Sequence, residues 1–152
     1  MIIKILESLR IVGVISGYFI AYFTTDSPAE ILHILTIWMI VSVAGLSGIE
    51  GLFFPDQAAK EKGFETGSNY QRQTAFFFLS MAIMSVIVFA FKWGTAAEIT
   101  LSLTFLIFML FSGINHGWQS VAHKNFKWNN VIRPFQTLFL IAIFLYPLIK
   151  VL

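Results

Sequence analysis

The sequence predicts an all-α integral membrane protein: a single transmembrane domain, residues 1–152, with five membrane-spanning helices. Three observations carry that prediction. Charged residues make up 12% of the chain and hydrophobic ones 57%, where a soluble domain carries about 25% charged residues. Phe occurs seventeen times, part of more apolar surface than a core of this size can hide from water. The apolar residues also gather into five segments near the length, about 20 residues, that crosses a hydrocarbon layer of about 30 Å.

The first segment is Ile5 to Phe23. Its basic start and its apolar stretch from Ile11 to Phe23 resemble a signal peptide. The next residues, "TTDSPAE", offer no small-residue cleavage site, so a retained helix is expected, with Lys4, Glu7 and Arg10 in its first turns. The second segment opens on "SPAE", with Ser27 as N-cap, Pro28 at the first helical position and Glu30 near the positive helix end. It runs to Phe54 and stops at Pro55. The third covers Arg72 to Phe91. "KWGTAAE" makes a turn in which Thr95 caps the fourth, which runs to Ala122. The fifth starts near Pro134 and ends by Leu152, with a bend at Tyr146-Pro147. Between the second and third, "AAKEKGF" reads as a short interfacial helix ended by Gly63, anchored by Phe53, Phe54 and Phe64. Beside it, "HKNFKWNN" offers Lys124, Phe126, Lys127 and Trp128 to anionic headgroups.

Five crossings put the two termini on opposite sides. The side of the N-terminus holds Lys4, Arg10, Lys60, Lys62, Arg72, Lys124, Lys127 and Arg133; the other holds Lys92 and Lys150. Basic loops stay in the cytoplasm, so the chain is expected in the cytoplasmic membrane with its N-terminus inside and its C-terminus outside. Trp93, Trp118 and Trp128 flank spans, as interfacial aromatics do.

An internal similarity runs through the chain. "LSGIEG" (46–51) resembles "FSGINHG" (111–117), and "RQTAFFFL" (72–79) resembles "RPFQTLFL" (133–140), at offsets of 63 to 65 residues. Helices two and three, and helices four and five, would then be two parallel hairpin repeats behind an N-terminal helix. Small residues mark close helix contacts, within one chain or between copies: Gly13, Gly17 and Ala21 on the first helix, and Ser42, Gly45 and Gly48 on the second.

The repeat places Glu50 and His116 at matching depth, about one turn inside the N-terminal side, and predicts that they approach each other across helices two and four. Ser112, His116, Gln119 and His123 recur on one helix face, with Asn115 beside them. Gln71, Arg72 and Gln73 start the third helix; Arg133, Gln136 and Thr137 hold the equivalent place in the fifth. An ionisable group in a membrane helix is a functional candidate. The candidate ligand-binding set is therefore Glu50, His116, Asn115, Gln119, Gln71, Gln73, Arg72 and Gln136. The competing reading is structural: interhelical hydrogen bonds worth about 0.6 kcal/mol each. No catalytic residue and no metal ligand is assigned. The ligand spacing of H-E-x-x-H is missing, there is no cysteine, and His116 and His123, about 10 Å apart along one helix, cannot both hold one haem iron. The cofactor, if the protein uses one, stays open.

"GFETGSNYQRQTAF", then "GINHGWQSVAHKNF" and "NN", resemble a family of small bacterial and archaeal multi-pass proteins of unknown function, itself similar to DoxX-like membrane proteins. The shared pattern falls here on Glu50, Gly51, Gly67, Ser68, Gln71, His116 and Asn125. Asn115 between Gly113 and His116 departs from it. The DoxX likeness implies an association with quinone or redox membrane complexes and no particular activity. Three functions stand as alternatives. The first is a small ligand-binding or transport-like protein. The second is an accessory subunit of a larger membrane complex. The third is a membrane oxidoreductase or metal-dependent enzyme, and a non-enzymatic role is favoured over it. Lipid is the expected partner, with a homo-oligomer or larger complex as a further one and nucleic acid excluded.

Overall fold

The computed structural model describes every residue from Met1 to Leu152. It contains six helices and no strand: α1 (Ile2–Thr24), α2 (Pro28–Phe53), α3 (Pro55–Lys62), α4 (Asn69–Ala90), α5 (Thr95–Ala122) and α6 (Trp128–Val151). Four of them, α2, α4, α5 and α6, are long and apolar enough to cross a membrane. α1 has the length, 23 residues, but Lys4, Glu7 and Arg10 load its first turns with charge.

Helix starts obey local chemistry, with corrections of a few residues. Ser27 precedes Pro28 as expected, although its side chain makes no capping bond. Ser68 does cap α4, accepting from the Tyr70 amide at 3.3 Å, so that helix begins at Asn69 rather than Arg72. Gly94, at φ 88°, takes the cap position expected for Thr95. α6 begins at Trp128, before Pro134. Pro134 therefore lies inside the helix, and, having no N–H, it cannot donate to the Asn130 carbonyl four positions earlier. Pro147 likewise cannot donate to the Ile143 carbonyl, and the Tyr22 hydroxyl donates to that oxygen at 2.6 Å. α6 therefore runs on through the proline, and α1 is tied to it.

α2 is the centre of the bundle. Half of its most apolar stretch is buried, against about a third or less for the other spans, and Leu32, Leu35, Met39 and Ile40 are sealed against Phe105 of α5 and Phe144 of α6. α1 lies antiparallel to it. Arg10 reaches the Leu46 carbonyl, Gly13 meets Ser42 and Gly17 meets the Trp38 ring. A side chain at either glycine would overlap its partner, which is why the two helices come this close. At Val41–Gly45 α2 makes a π turn. One extra residue rotates the remainder of the helix by about 100°. The expected small face is thereby divided: Ser42 turns to α1, whereas Gly45 and Gly48 meet Ala82 and Leu79 of α4.

The outer surface is apolar. Phe76, Ile83 and Phe89 of α4, Ile107 and Phe111 of α5, and Phe135 and Leu138 of α6 are all exposed. Lipid is the environment in which such a surface is stable. The connections place the N-terminus, α3 and the 123–127 turn at one end, here the amino end. The C-terminus and the turns before α2 and α5 lie at the other, the carboxy end.

Candidate functional site

At the amino end α3 folds back over the bundle. Gly63 ends it in the left-handed conformation, φ 66°, and the Phe64 amide bonds the Ala59 carbonyl at 2.8 Å, a geometry that a residue with a Cβ resists. Ala58 and Ala59 point inward and are buried. The Asn125 and Asn130 amides donate to the Lys62 carbonyl at 3.0 and 2.9 Å. Asn125 of the α5–α6 connection and Asn130 of the first turn of α6 thus hold the end of α3 in place.

Glu50, 2% exposed, sits beneath that lid. One carboxylate oxygen accepts from Arg10 of α1, and the other accepts from the Lys62 ammonium at 2.5 Å. Burial pulls the Lys62 pKa below its ordinary 10.5. Glu50 opposes that pull, and Arg133 and Arg10 add to it.

His116 is buried on α5 and stacks on Phe64, ring centroids 5.4 Å apart. Its Nδ1 lies 2.7 Å from Asn130 Oδ1. The Asn130 nitrogen is already donating to the Lys62 and Asn125 carbonyls, so the proton belongs to His116 Nδ1. Nε2 has no protein partner, and His116 lines a cavity. Glu50 and His116 make no bond to each other. They are joined by a chain: Glu50 to the Lys62 side chain, then Lys62 carbonyl to Asn130 to His116.

The cavity holds about 360 Å³ between all six helices. Arg10, Glu50, Lys62, His116 and Arg133 give it its charge and polarity, and exposed Tyr70, Thr74 and Asn115 mark its open side, between α4 and α5. Arg133 contacts Glu7 at 3.4 Å, and the Asn129 amide nitrogen, turned towards the same carboxylate, donates to it at 2.6 Å. The cluster thus sets three cations, Arg10, Lys62 and Arg133, against two carboxylates, Glu7 and Glu50. The Nε atoms of Arg10 and Arg133 are both buried without a hydrogen-bond partner.

Of the residues expected from sequence, Glu50, His116, Asn115 and Gln71 line this cavity, and Gln71 spends its amide on the Glu65 carbonyl at 2.6 Å. Gln136 lines a second cavity. Arg72 and Gln73 are exposed, and neither they nor Gln119 lines either cavity. Arg10, Lys62 and Asn130 are cluster members that sequence reasoning missed, and Arg133 falls at this end in the sequence without entering the candidate set. Their one sequence signal is their position near the same end as Glu50, which reads equally well as ordinary interfacial charge.

Fold and surface together define an all-helical membrane protein with a buried polar cluster at its amino end. Residues 6–151 match the model of a family of unknown function, DUF6790, and the chain belongs to that family. It matches no curated protein and no solved structure. The family match carries no activity, and kinship with DoxX-like proteins rests on short motifs alone.

Proposed function

We propose that the chain is a five-span protein of the cytoplasmic membrane, N-terminus inside, that binds a small anionic ligand in the cavity at its inner end, as a binding or transport-like protein. One observation carries the reading: a buried cluster with one more cation than carboxylate, lining a cavity, with two arginine donors unpaired. A surplus cation in a buried cluster costs free energy that a carboxylate or phosphate beside the arginines would recover. His116 Nε2 would accept a hydrogen bond from the ligand's own donor.

The five-span count takes α1 as a full crossing. It is about 35 Å long and lies along α2 from Arg10 to Gly17 and beyond. The orientation does not depend on the three cations drawn into the cluster. Without Arg10, Lys62 and Arg133, the inner side still has Lys4, Lys60, Arg72, Lys124 and Lys127 against Lys92 and Lys150. The two-hairpin repeat is supported by one equivalence. Gly48 meets Ala75 and Leu79 of α4, and Gly113 meets Thr137 of α6. Its limit is α3 and the π turn, which have no counterpart between or within α5 and α6.

The second reading is an accessory subunit in which the cluster is structural. In its favour, both Glu50 oxygens are already bonded within the chain. Anion binding separates the two. Purified protein should melt higher in millimolar inorganic phosphate or acetate than in chloride at equal ionic strength, and Arg133→Gln should abolish the gain. No stabilisation by any anion would leave the cluster as structure alone.

A further inference from the structure

A second cavity, about 350 Å³, lies between α1 and α6. The two helices run in the same direction and are tied at each end. Arg133 contacts Glu7 near their starts, and Tyr22 bonds the Ile143 carbonyl near their ends. Between those ties the helices leave a crevice with a polar and an apolar end. Glu7, Arg10, Arg133 and Gln136 line it at the amino end; Ile11, Val14, Ile15, Phe139 and Leu140 line it further along. Ile11, Ile15 and Phe139 are about half exposed on the apolar outer surface, so the crevice opens sideways. Arg10, Met109, Arg133 and Thr137 line both cavities. The arginines with unpaired Nε atoms therefore stand where the polar cavity meets the apolar crevice. Arg10 is 5% exposed.

We infer that the occupant of the crevice is an anionic membrane lipid. One acyl chain lies between α1 and α6, and its phosphate meets Arg10 and Arg133. The inference rests on the anion-binding reading and adds the chemical class of the ligand. Charge complementarity selects an anionic head, because the cluster has a surplus cation and spare arginine donors. The apolar lining selects the tail: Ile11 to Ile15 and Phe139 to Leu140 offer no hydrogen-bond partner to a polar ligand. The order of the lining residues matches the lipid, with head at the charged end and chain towards the middle of the bilayer. A soluble anion would use the arginines and leave the crevice without a role.

The test uses the full chain purified in mild detergent. It is titrated with phosphatidylglycerol, phosphatidylcholine and glycerol 3-phosphate, reading melting temperature and native mass. One phosphatidylglycerol should bind per chain and raise the melting temperature. Phosphatidylcholine and glycerol 3-phosphate should each bind at least about tenfold more weakly, one lacking net charge and the other lacking the tail. Arg133→Gln should weaken phosphatidylglycerol binding about tenfold. Ile15→Trp, which fills the apolar end, should remove the advantage of phosphatidylglycerol over glycerol 3-phosphate while leaving glycerol 3-phosphate binding unchanged. That variant keeps the inference testable if Arg133→Gln fails to fold. Equal binding of the two lipids would overturn it. So would a dimer abolished by Ile15→Trp, which would give the crevice to a second copy. If glycerol 3-phosphate binds as well as phosphatidylglycerol, the lipid inference falls and the anion reading stands. If neither binds, both fall.

Discussion

The two ends of the bundle bury similar chemistry in different ways. At the carboxy end Glu98, 5% exposed, bonds His33, whose ring stacks on Phe89 with centroids 4.9 Å apart. Thr36 and Ser102 share a buried hydrogen bond at 2.8 Å, and the Tyr22 hydroxyl meets the carbonyl freed by Pro147. Each group there has a partner, and none of these side chains lines either cavity. The amino end also buries a glutamate, and with it a histidine, but it adds three cations, two unpaired donors and a void. A buried glutamate is therefore no mark of a site in this fold. What distinguishes the amino end is a surplus of cations beside a void.

The largest expected difference between the ends comes from neutralising each glutamate. Glu50→Gln leaves Arg10 and Lys62 buried without a countercharge, a loss of about 3–5 kcal/mol of the kind seen when one partner of a buried ion pair is removed. Glu98→Gln keeps an oxygen for His33 and should cost about 1 kcal/mol. Chemical unfolding of both variants in the same detergent measures the gap. Arg10→Gln combined with Glu50→Gln should cost less than the two single changes added together. Equal losses for Glu50→Gln and Glu98→Gln would mean that the ends do not differ as argued.

The helices, one close helix contact and two residues of the amino-end cluster are legible in the sequence; the partners that bury the polar groups at either end are not. Helix existence comes from apolar length. The α1–α2 contact comes from Gly13 and Gly17, because a close approach needs small residues and the sequence displays them. Glu50 and His116 stand out because charge is rare in apolar runs. Lys62 does not, since "AAKEK" reads as a solvated helix. Its burial depends on α3 folding back, which Asn125 of the α5–α6 connection and Asn130 at the start of α6 enforce from more than sixty residues away. Asn130 reads as loop while Pro134 stands as the expected helix start. The π turn has no signature in "VSVAG", yet it sets which way Glu50 faces.

A smaller effect tests the lid. Asn130→Ala removes the bond to His116 and one of the two side-chain bonds to the Lys62 carbonyl, at about 1–3 kcal/mol for buried groups left unpaired. Its counterpart is Tyr22→Phe, which leaves the Ile143 carbonyl unpaired at the carboxy end for about 1 kcal/mol. The two should differ in kind as well as size. Asn130→Ala should speed proteolysis between Gly63 and Ser68, since it loosens the end of α3, while Tyr22→Phe should leave that segment as resistant as before. Faster cleavage there in Tyr22→Phe would show that the bundle loosens as a whole and that α3 is no separate lid.

The smallest effect is a pH dependence confined to the amino end. Burial, the largest influence on Lys62, holds its folded pKa below the ordinary 10.5 despite the attraction of Glu50. Between the folded value and 10.5, the unfolded chain binds a proton that the folded chain does not, so stability rises with pH across that window. Below the folded value both states are protonated and the full cost of burying the ammonium is present. Above 10.5 both have lost the proton and that cost is gone. Lys62→Met has no such group. Subtracting its unfolding free energy from that of the parent at each pH cancels the other titrating residues, and the difference should climb towards 10.5 from a plateau at lower pH. A difference that falls over the same range would mean that the pull of Glu50 outweighs burial. Lys62 would then be a well-paired cation like the groups at the carboxy end, and the surplus of charge that separates the two ends would shrink to the arginines.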